Sequence, residues 1–315
     1  MSRSSKPLVD DSSVCYRPGR SAKDALRKGW REIDAGAEWI VDGDLKDYFG
    51  SIDHAKLMTL VAQRVADGRV LTLIERMLTA GYLAKGRRFP TPQGTPQGGV
   101  VSPLLSNIFL TPFDREMCWR GYQLTQYADD WLRTCRSRRE AEAALQVARK
   151  ILAALGVQLN PQKTRIVHVR HGVAFLGYTI KRGSRPLYLA AARIRSGAQS
   201  GALYAYPTQK AIDRFKEAVR RKTQRRIPLR TPELIRGLNP VLRGWGEYYK
   251  RAHVRRLFNQ LDRWIERRLW SHHHKRWRCA GWKLLPTRRL RGEWGLVSLI
   301  APIPSLTPQP SAALS

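Results

Sequence analysis

The residues that most constrain the fold lie between 122 and 135. Tyr122-Gln123-Leu124-Thr125-Gln126-Tyr127 is β-prone, meets Asp129-Asp130, and is followed by Trp131-Leu132-Arg133-Thr134-Cys135. Two β-prone runs flanking a short acidic break are the pattern of an antiparallel hairpin with carboxylates at its turn. A second acidic strand end stands upstream. From Ala37 to Asp44 the chain reads A-E-W-I-V-D-G-D, a β-prone Trp39-Ile40-Val41 core ending in two acids separated by one glycine.

Helical spacing follows from His54 to about Ala66, with Leu57, Leu60, Val61 and Val65 recurring on one face. Residues 138–155 are Ala- and Leu-rich and read as a helix, and Val173 to Ile180 as a short strand. Beyond about residue 205 strand patterns fade into Arg-rich helical segments, expected to break at Pro228, Pro232 and Pro240. Mixed strands and helices followed by helices alone predict an α+β chain with a boundary near Gly183 to Gly201. Residues 302–315 are rich in Pro and Ser and are expected to be disordered.

Charge narrows the partners. The chain carries 57 Lys and Arg against 25 Asp and Glu, a net +32, with 25 against 7 in residues 205–315 alone. Such an excess self-repels unless a polyanion compensates it, which points to nucleic acid or an anionic membrane. No run of about 18 apolar residues occurs and the N-terminus lacks a signal-peptide core, so nucleic acid leads and no membrane partner is expected. Cys15, Cys118, Cys135 and Cys279 stand singly, arguing against a disulfide framework or zinc ribbon and for a reducing, cytoplasmic compartment. His272-His273-His274 has no ligand-spaced partner and reads as a basic patch.

Asp44 and Asp129 carry the chemistry in this reading. Each sits where a strand gives way to a turn, the geometry that two-metal phosphoryl transfer asks of carboxylates, whose hard oxygens suit magnesium. An isolated acid pair at a hairpin turn is more commonly turn chemistry, so the pair alone does not carry the reading.

Its company does. Tyr127-Ala128-Asp129-Asp130 resembles the Y-x-D-D box of reverse transcriptases, and Asp42-Gly43-Asp44-Leu45-Lys46-Asp47-Tyr48-Phe49 with Ser51-Ile52-Asp53-His54 resembles their first acidic motif. Gly94-Thr95-Pro96-Gln97-Gly98-Gly99-Val100-Val101-Ser102-Pro103-Leu104-Leu105-Ser106-Asn107-Ile108 is similar to the nucleotide- and template-contacting motif. Tyr16 to Leu26, with its Arg17-Pro18-Gly19-Arg20-Ser21 core, resembles the box ahead of the first acid in group II intron members. Leu159-Asn160-Pro161-Gln162-Lys163-Thr164 and Phe175-Leu176-Gly177-Tyr178 match the later palm motifs. Leu242-Arg243-Gly244-Trp245-Gly246-Glu247-Tyr248-Tyr249 is similar to the maturase-specific segment, and Ala280-Gly281-Trp282-Lys283 with Gly292-Glu293-Trp294-Gly295-Leu296 to the end of such proteins. The sequence thus resembles group II intron-encoded reverse transcriptases and maturases along nearly its whole length.

The resemblance implies a right-hand polymerase palm, an antiparallel sheet with flanking helices, followed by a helical thumb and maturase region. The expected order is an extension (1–15), a palm with residual fingers elements (16–183), a linker (184–204), a helical RNA-binding domain (205–300) and a tail (301–315). It implies an RNA-directed DNA polymerase and intron maturase acting in splicing and mobility. Its partners would be the group II intron RNA, an RNA template, a DNA primer or target and dNTPs. Two Mg2+ ions would be held by Asp44, the Leu45 carbonyl and Asp129, with Asp130 the second acid of the box. Phe49 would crowd the sugar 2′ position, Gln97 and Gly98 would meet nucleotide and template, and Lys163 would lie near the triphosphate or else be a solvated surface lysine. RNA contacts fall to Arg220, Arg221, Lys222, Arg225, Arg226 and Arg243, with Trp245, Tyr248 and Tyr249 as platforms for unstacked bases.

One expectation runs the other way. Relatives of this kind carry a fingers segment ahead of the Arg-Pro-Gly box, and 15 residues precede Tyr16 here. The sequence is therefore expected to be N-terminally truncated, and an RNA-binding splicing factor or a remnant without polymerase activity stands as the alternative. No Cys- and His-rich endonuclease cassette is expected.

Overall fold

A computed structural model of the chain describes residues 21–84, 86–95, 99–127, 130–183, 201–274 and 286–303. It contains two compact units, Met1–Leu176 and Gly177–Ser315. The N-terminal extension, the Arg-Pro-Gly core, Ala280-Gly281-Trp282-Lys283 and nearly all of the tail lie outside the described residues.

The first unit is built on a four-stranded antiparallel sheet in the order β4-β5-β1-β6, with β1 at Trp39–Asp44, β4 at Thr125–Tyr127, β5 at Asp130–Cys135 and β6 at Arg165–His168. β1 is therefore central, with a neighbour on each side. Strand alternation sends Val41 and Trp131 to one face and Ile40 and Leu132 to the other, and all four are essentially inaccessible to solvent. Two helices, α5 (Ser102–Trp119) and α6 (Arg138–Leu155), close the Val41 face. There Trp131 meets Phe113 edge-on at 5.6 Å amid Leu105, Phe109, Met117 and Leu152. On the other face α1 (Ala22–Asp34) covers β4 and β5, held by Glu32 accepting from Thr134 Oγ1 at 2.6 Å and by Lys28 Nζ on the Leu124 carbonyl.

Three short helices precede α5: α2 (Tyr48–Ser51), α3 (His54–Ala62) and α4 (Gly68–Thr79). Asp53 caps α3 by accepting from Lys56 N, so an acid of the first motif serves as helix punctuation. The hairpin β2 (Tyr82–Ala84) and β3 (Arg87–Phe89) stacks Tyr82 on Phe89, and β7 (Val173–Phe175) ends the unit's named strands. The single strand expected over Val173 to Ile180 is split, because Leu176 and Gly177 both take positive φ, 48° and 78°.

The second unit opens with an antiparallel pair, β8 (Tyr178–Arg182) and β9 (Leu203–Pro207). Three helices follow: α7 (Gln209–Lys222), α8 (Thr231–Tyr249) and α9 (Arg255–His274). The unit boundary falls at Leu176–Gly177 rather than near residues 183–201, and Leu203 and Tyr204 of the expected linker belong to β9. Pro232 sits at the start of α8 as expected of a helix N-terminus, but Pro240 lies inside α8 and does not break it. Asn239 and Leu242 beside it are buried. His272 is no part of a basic patch: it is 2% exposed and donates through Nε2 to the Ile227 carbonyl at 3.2 Å.

Residues 286–303 fasten this unit. Asp262 and Glu266 on α9 are buried, and Arg291 reaches both, at 3.3 and 2.8 Å. Burial works against the Arg291 charge, but the Glu266 hydrogen bonds and nearby Asp262 more than offset it and raise the guanidinium pKa. Asp262 also accepts from Ser298 Oγ and Leu299 N, while Asn239 of α8 donates to Gly295 O and accepts from Val297 N.

Two expected outcomes test this packing. Gly43 lies under the Trp131 indole, where an added Cβ would stand 2.2 Å from the ring. Gly43→Ala should destabilise the protein by about 1–3 kcal/mol through overpacking, measured by urea unfolding. Arg291→Leu leaves two buried carboxylates without their cation and should cost about 3–5 kcal/mol, read as a lowered thermal midpoint.

Candidate active site

β1 delivers Asp42 and Asp44 to the sheet face opposite the Trp131 core, because residues two apart on a strand share a face. Gly43 between them turns toward that core, where the indole leaves no room for a side chain. The acid-glycine-acid spelling is thus a packing solution as well as a chemical one.

At the end of β1 the chain is tied down from several directions. Asp44 pairs across the sheet with Asp130, and Asp130 in turn pairs with Tyr127, so the end of β4 and the start of β5 lie beside the end of β1. The Asp44 carbonyl accepts from Asn160 N at 2.8 Å and Thr164 Oγ1 at 3.3 Å, and Asp44 N donates to Thr164 Oγ1 at 3.4 Å. Lys46 N donates to Gln158 O, completing an isolated bridge between Leu45 and Leu159. Both bonds of that bridge belong to the neighbours of Leu45, so the Leu45 carbonyl stands outside the ladder. The Asn160-to-Thr164 turn is itself fixed by Gln162 N on Asn160 Oδ1 and Thr164 N on Asn160 O.

The carboxylate is divided in its environment. Lys163 Nζ holds Asp44 Oδ1 at 2.9 Å, with the lysine side chain 65% exposed and the aspartate 13%. Asp44 Oδ2 is buried and has no hydrogen-bond partner among the described residues. A buried, unpartnered carboxylate oxygen costs free energy unless something compensates it. A hard divalent cation is the natural partner for such an oxygen, so the donor set fits magnesium. Asp42, by contrast, is neutralised locally: burial raises its pKa, Arg165 at 3.1 Å pulls it back, and Asp44 pushes it up again, leaving it above the ordinary carboxylate value.

Phe49, on α2, is half-buried, packs beside Tyr48 at 5.5 Å, and presents its carbonyl to Thr95 N at 2.7 Å. Gly94 N donates to Ile52 O, and His54 Nε2 donates to Gly94 O at 2.6 Å. Gly94 takes φ +82°, and a Cβ there would lie 2.7 Å from Phe49 O. The glycine-rich motif is thereby docked against the first acidic motif, although the two are some forty residues apart.

Of the expected site residues, Asp44, Leu45, Lys163 and Asp130 adjoin at this corner and Phe49 lies on α2, which follows it in sequence; Asp129, Gln97 and Gly98 lie outside the described residues. Among the described residues no group of three or more His, Cys, Asp or Glu gathers as a metal cluster. Asn160, Thr164, His54 and Thr95 were not singled out from sequence, although each lies inside a quoted box. In the second unit Arg220, Arg221, Lys222, Arg225, Arg226 and Arg243 are exposed. The aromatics differ. Tyr249 is 4% exposed and donates its hydroxyl to Gly177 O at 3.1 Å, and burial pushes its phenol up to about 12. Trp245 is half-buried and stacks on Phe215 at 4.3 Å, and Tyr248 tilts against Tyr178. Gly244, Trp245 and Gly246 lie within continuous helix. Tyr249 is a core residue here, and Trp245 is chiefly one.

Comparison with known proteins bears on the same two regions. Residues 2–180 match the profile "Reverse transcriptase (RNA-dependent DNA polymerase)", and residues 212–290 match "Group II intron, maturase-specific domain". Protein YkfC of Escherichia coli is 32% identical over 209 residues, 54% of this chain and 55% of that protein. The group II intron-encoded protein LtrA of Lactococcus lactis is 28% identical over 335 aligned positions, 82% of this chain and 55% of LtrA. The chain thus spans about half the length of these curated relatives. Among solved structures, telomerase from Candida albicans in complex with a fragment of telomeric RNA aligns at 13% identity and a TM-score of 0.48, covering 85% of this chain and 49% of that one. No helix of the described residues is long and apolar enough to cross a membrane. With one profile over more than half of its residues and the maturase-specific profile behind it, the chain belongs to the reverse transcriptase family, in its group II intron form.

Proposed function

We propose that this chain performs magnesium-dependent, RNA-templated DNA synthesis at the Asp44 corner and binds group II intron RNA through its helical unit. The observation that carries the catalytic reading is the Asp44 carboxylate, fixed at a strand end beside Asp130 with one oxygen buried and without a hydrogen-bond partner among the described residues.

Asp44, the Leu45 carbonyl and Asp129 would hold the ions. Magnesium, when bound, supplies Lewis acidity toward the primer hydroxyl and the departing pyrophosphate. The protein's own part is positional. The backbone of Asp44 is held by Asn160 and Thr164, so its carboxylate is aimed without a further ordering cost at the moment of reaction. Lys163 places an ammonium beside that carboxylate, where it can neutralise charge on a bound triphosphate or pass a proton to the leaving group. Phe49, steadied by Tyr48 and by the Thr95 contact, sets a wall for the incoming sugar. Gln97 and Gly98 would meet nucleotide and template. Primer, template and dNTPs are thus the substrates, and the intron RNA is the structural partner of the basic second unit.

Asp129→Ala and Asp44→Asn should each abolish primer extension on an RNA template by the purified protein while leaving its circular dichroism unchanged. Full-rate extension by either variant sinks the assignment. An inactive wild type that still binds intron RNA would support the splicing-factor reading instead.

Phe49→Val removes the wall, and should raise the ribonucleotide-to-deoxynucleotide incorporation ratio by about tenfold or more. Single-nucleotide incorporation measures it, and an unchanged ratio would leave Phe49 as packing alone.

A further inference from the structure

The helical unit carries an arrangement that the aromatic residues expected from sequence do not account for. α7 ends in Arg220, Arg221 and Lys222, and its C-terminal cap, Thr223, is 1% exposed. Arg268 of α9 donates to that cap twice, through Nε to Thr223 Oγ1 at 2.7 Å and through Nη2 to Thr223 O at 3.3 Å. Its guanidinium lies over the Trp264 ring, one helical turn earlier, at 5.6 Å from the centroid. The Arg220 guanidinium lies over the same ring at 5.9 Å. Two guanidinium groups from different helices are therefore gathered on one indole.

Gathering them is electrostatically unfavourable. Burial and then the Arg220 charge hold the Arg268 pKa below its ordinary value, with Glu217 opposing. Glu217 meets Arg220 at 3.4 Å and is itself more than half exposed, so water screens its compensation. From residue 218 to 232 the sequence has no acid but holds Arg220, Arg221, Lys222, Arg225, Arg226 and Arg230, all exposed. A guanidinium pair already oriented by a ring and a helix cap forfeits little side-chain entropy when an anion arrives; the exposed Arg220 fork matches two oxygens of a phosphate, and Arg268, with Nε and Nη2 given to Thr223, adds its charge beside it.

We infer that the Arg220–Trp264–Arg268 stack is a preformed subsite for a phosphodiester of the RNA backbone, flanked by Arg221, Lys222, Arg225 and Arg226 for neighbouring phosphates. This rests on the reading that the chain binds intron RNA, and it names where the strand is gripped. Trp264 acts by positioning the two arginines, and the contact sets register without reading sequence.

Filter binding of the full chain to a folded group II intron transcript and to a size-matched unstructured RNA, across a salt series, tests this. Arg220→Gln should weaken both RNAs by a similar factor, about fivefold to tenfold at moderate salt, and flatten the log-log salt slope by about one. Trp264→Leu keeps every charge, yet should weaken both RNAs as Arg220→Gln does, because it releases the pair. Lys150→Gln on α6 removes one exposed charge elsewhere and should leave affinity and slope as they were. Thermal midpoints matching wild type for Arg220→Gln show that the loss is not unfolding. Wild-type affinity and slope in both Arg220→Gln and Trp264→Leu would overturn the subsite while leaving RNA binding standing, as would equal losses from all three variants, which describe a diffuse polycation. A wild-type chain that binds neither RNA removes the subsite together with the RNA reading.

Discussion

The first unit depends on how the end of β1 is held. A carboxylate aimed out of a strand end is useful only if the peptide groups around it are satisfied, because unsatisfied backbone at a buried sheet end costs about as much as the carboxylate can return. Here Asn160 and Thr164 satisfy the Asp44 peptide groups, and Lys163 in the same turn balances half of the charge. One five-residue turn thereby fixes backbone position, side-chain direction and local electrostatics together. The sheet order follows from the same need: a strand that delivers the central acid sits in the middle, where β5 and β6 brace it on both edges.

The second unit solves a different problem. Its helices are dense in arginine, and bringing them together concentrates like charge. Aromatic and aliphatic burial supplies the cohesion: Phe215, Tyr249 and Phe258 gather round Trp245, with Leu238, Leu242, Leu261 and Ile265 also buried. Two of the unit's few acids are spent inside, on Arg291, which leaves the outside more positive than the composition alone suggests.

Much of the Asp44 corner was legible because the family is written in short boxes with fixed order. Asp44 and Lys163, from boxes far apart in sequence, meet in an ion pair. What could not be read was the reason for the residues between them. Gly43 looks like a turn glycine until Trp131 is placed over it, and Asn160 looks like a loop residue until its amide is found on Asp44. Pro240 misled for a physical reason: it sits on the exposed side of α8, where water can serve the carbonyl that its missing N–H leaves free, while Leu238 and Leu242 keep the helix buried. Tyr249 misled because a helical aromatic stripe spells core and nucleic-acid surface alike; only its hydroxyl on Gly177 tells them apart. Trp264, by contrast, carries no motif, and its role rests on the two arginines that tertiary packing brings to it.

The fastening of residues 286–303 has a consequence in time. Asp262 and Glu266 are made well before Arg291, Ser298 and Leu299, which answer them. As the chain is synthesised, at about 5–20 residues per second, the palm sheet is complete in sequence by His168, more than a hundred residues before those answers arrive. From the synthesis of α9 until that of Arg291, α9 carries two acids that have no buried place to go, beside arginines not yet relieved of one another. The first unit can therefore mature first, and the second closes only when its own trailing segment has been threaded back across α8 and α9.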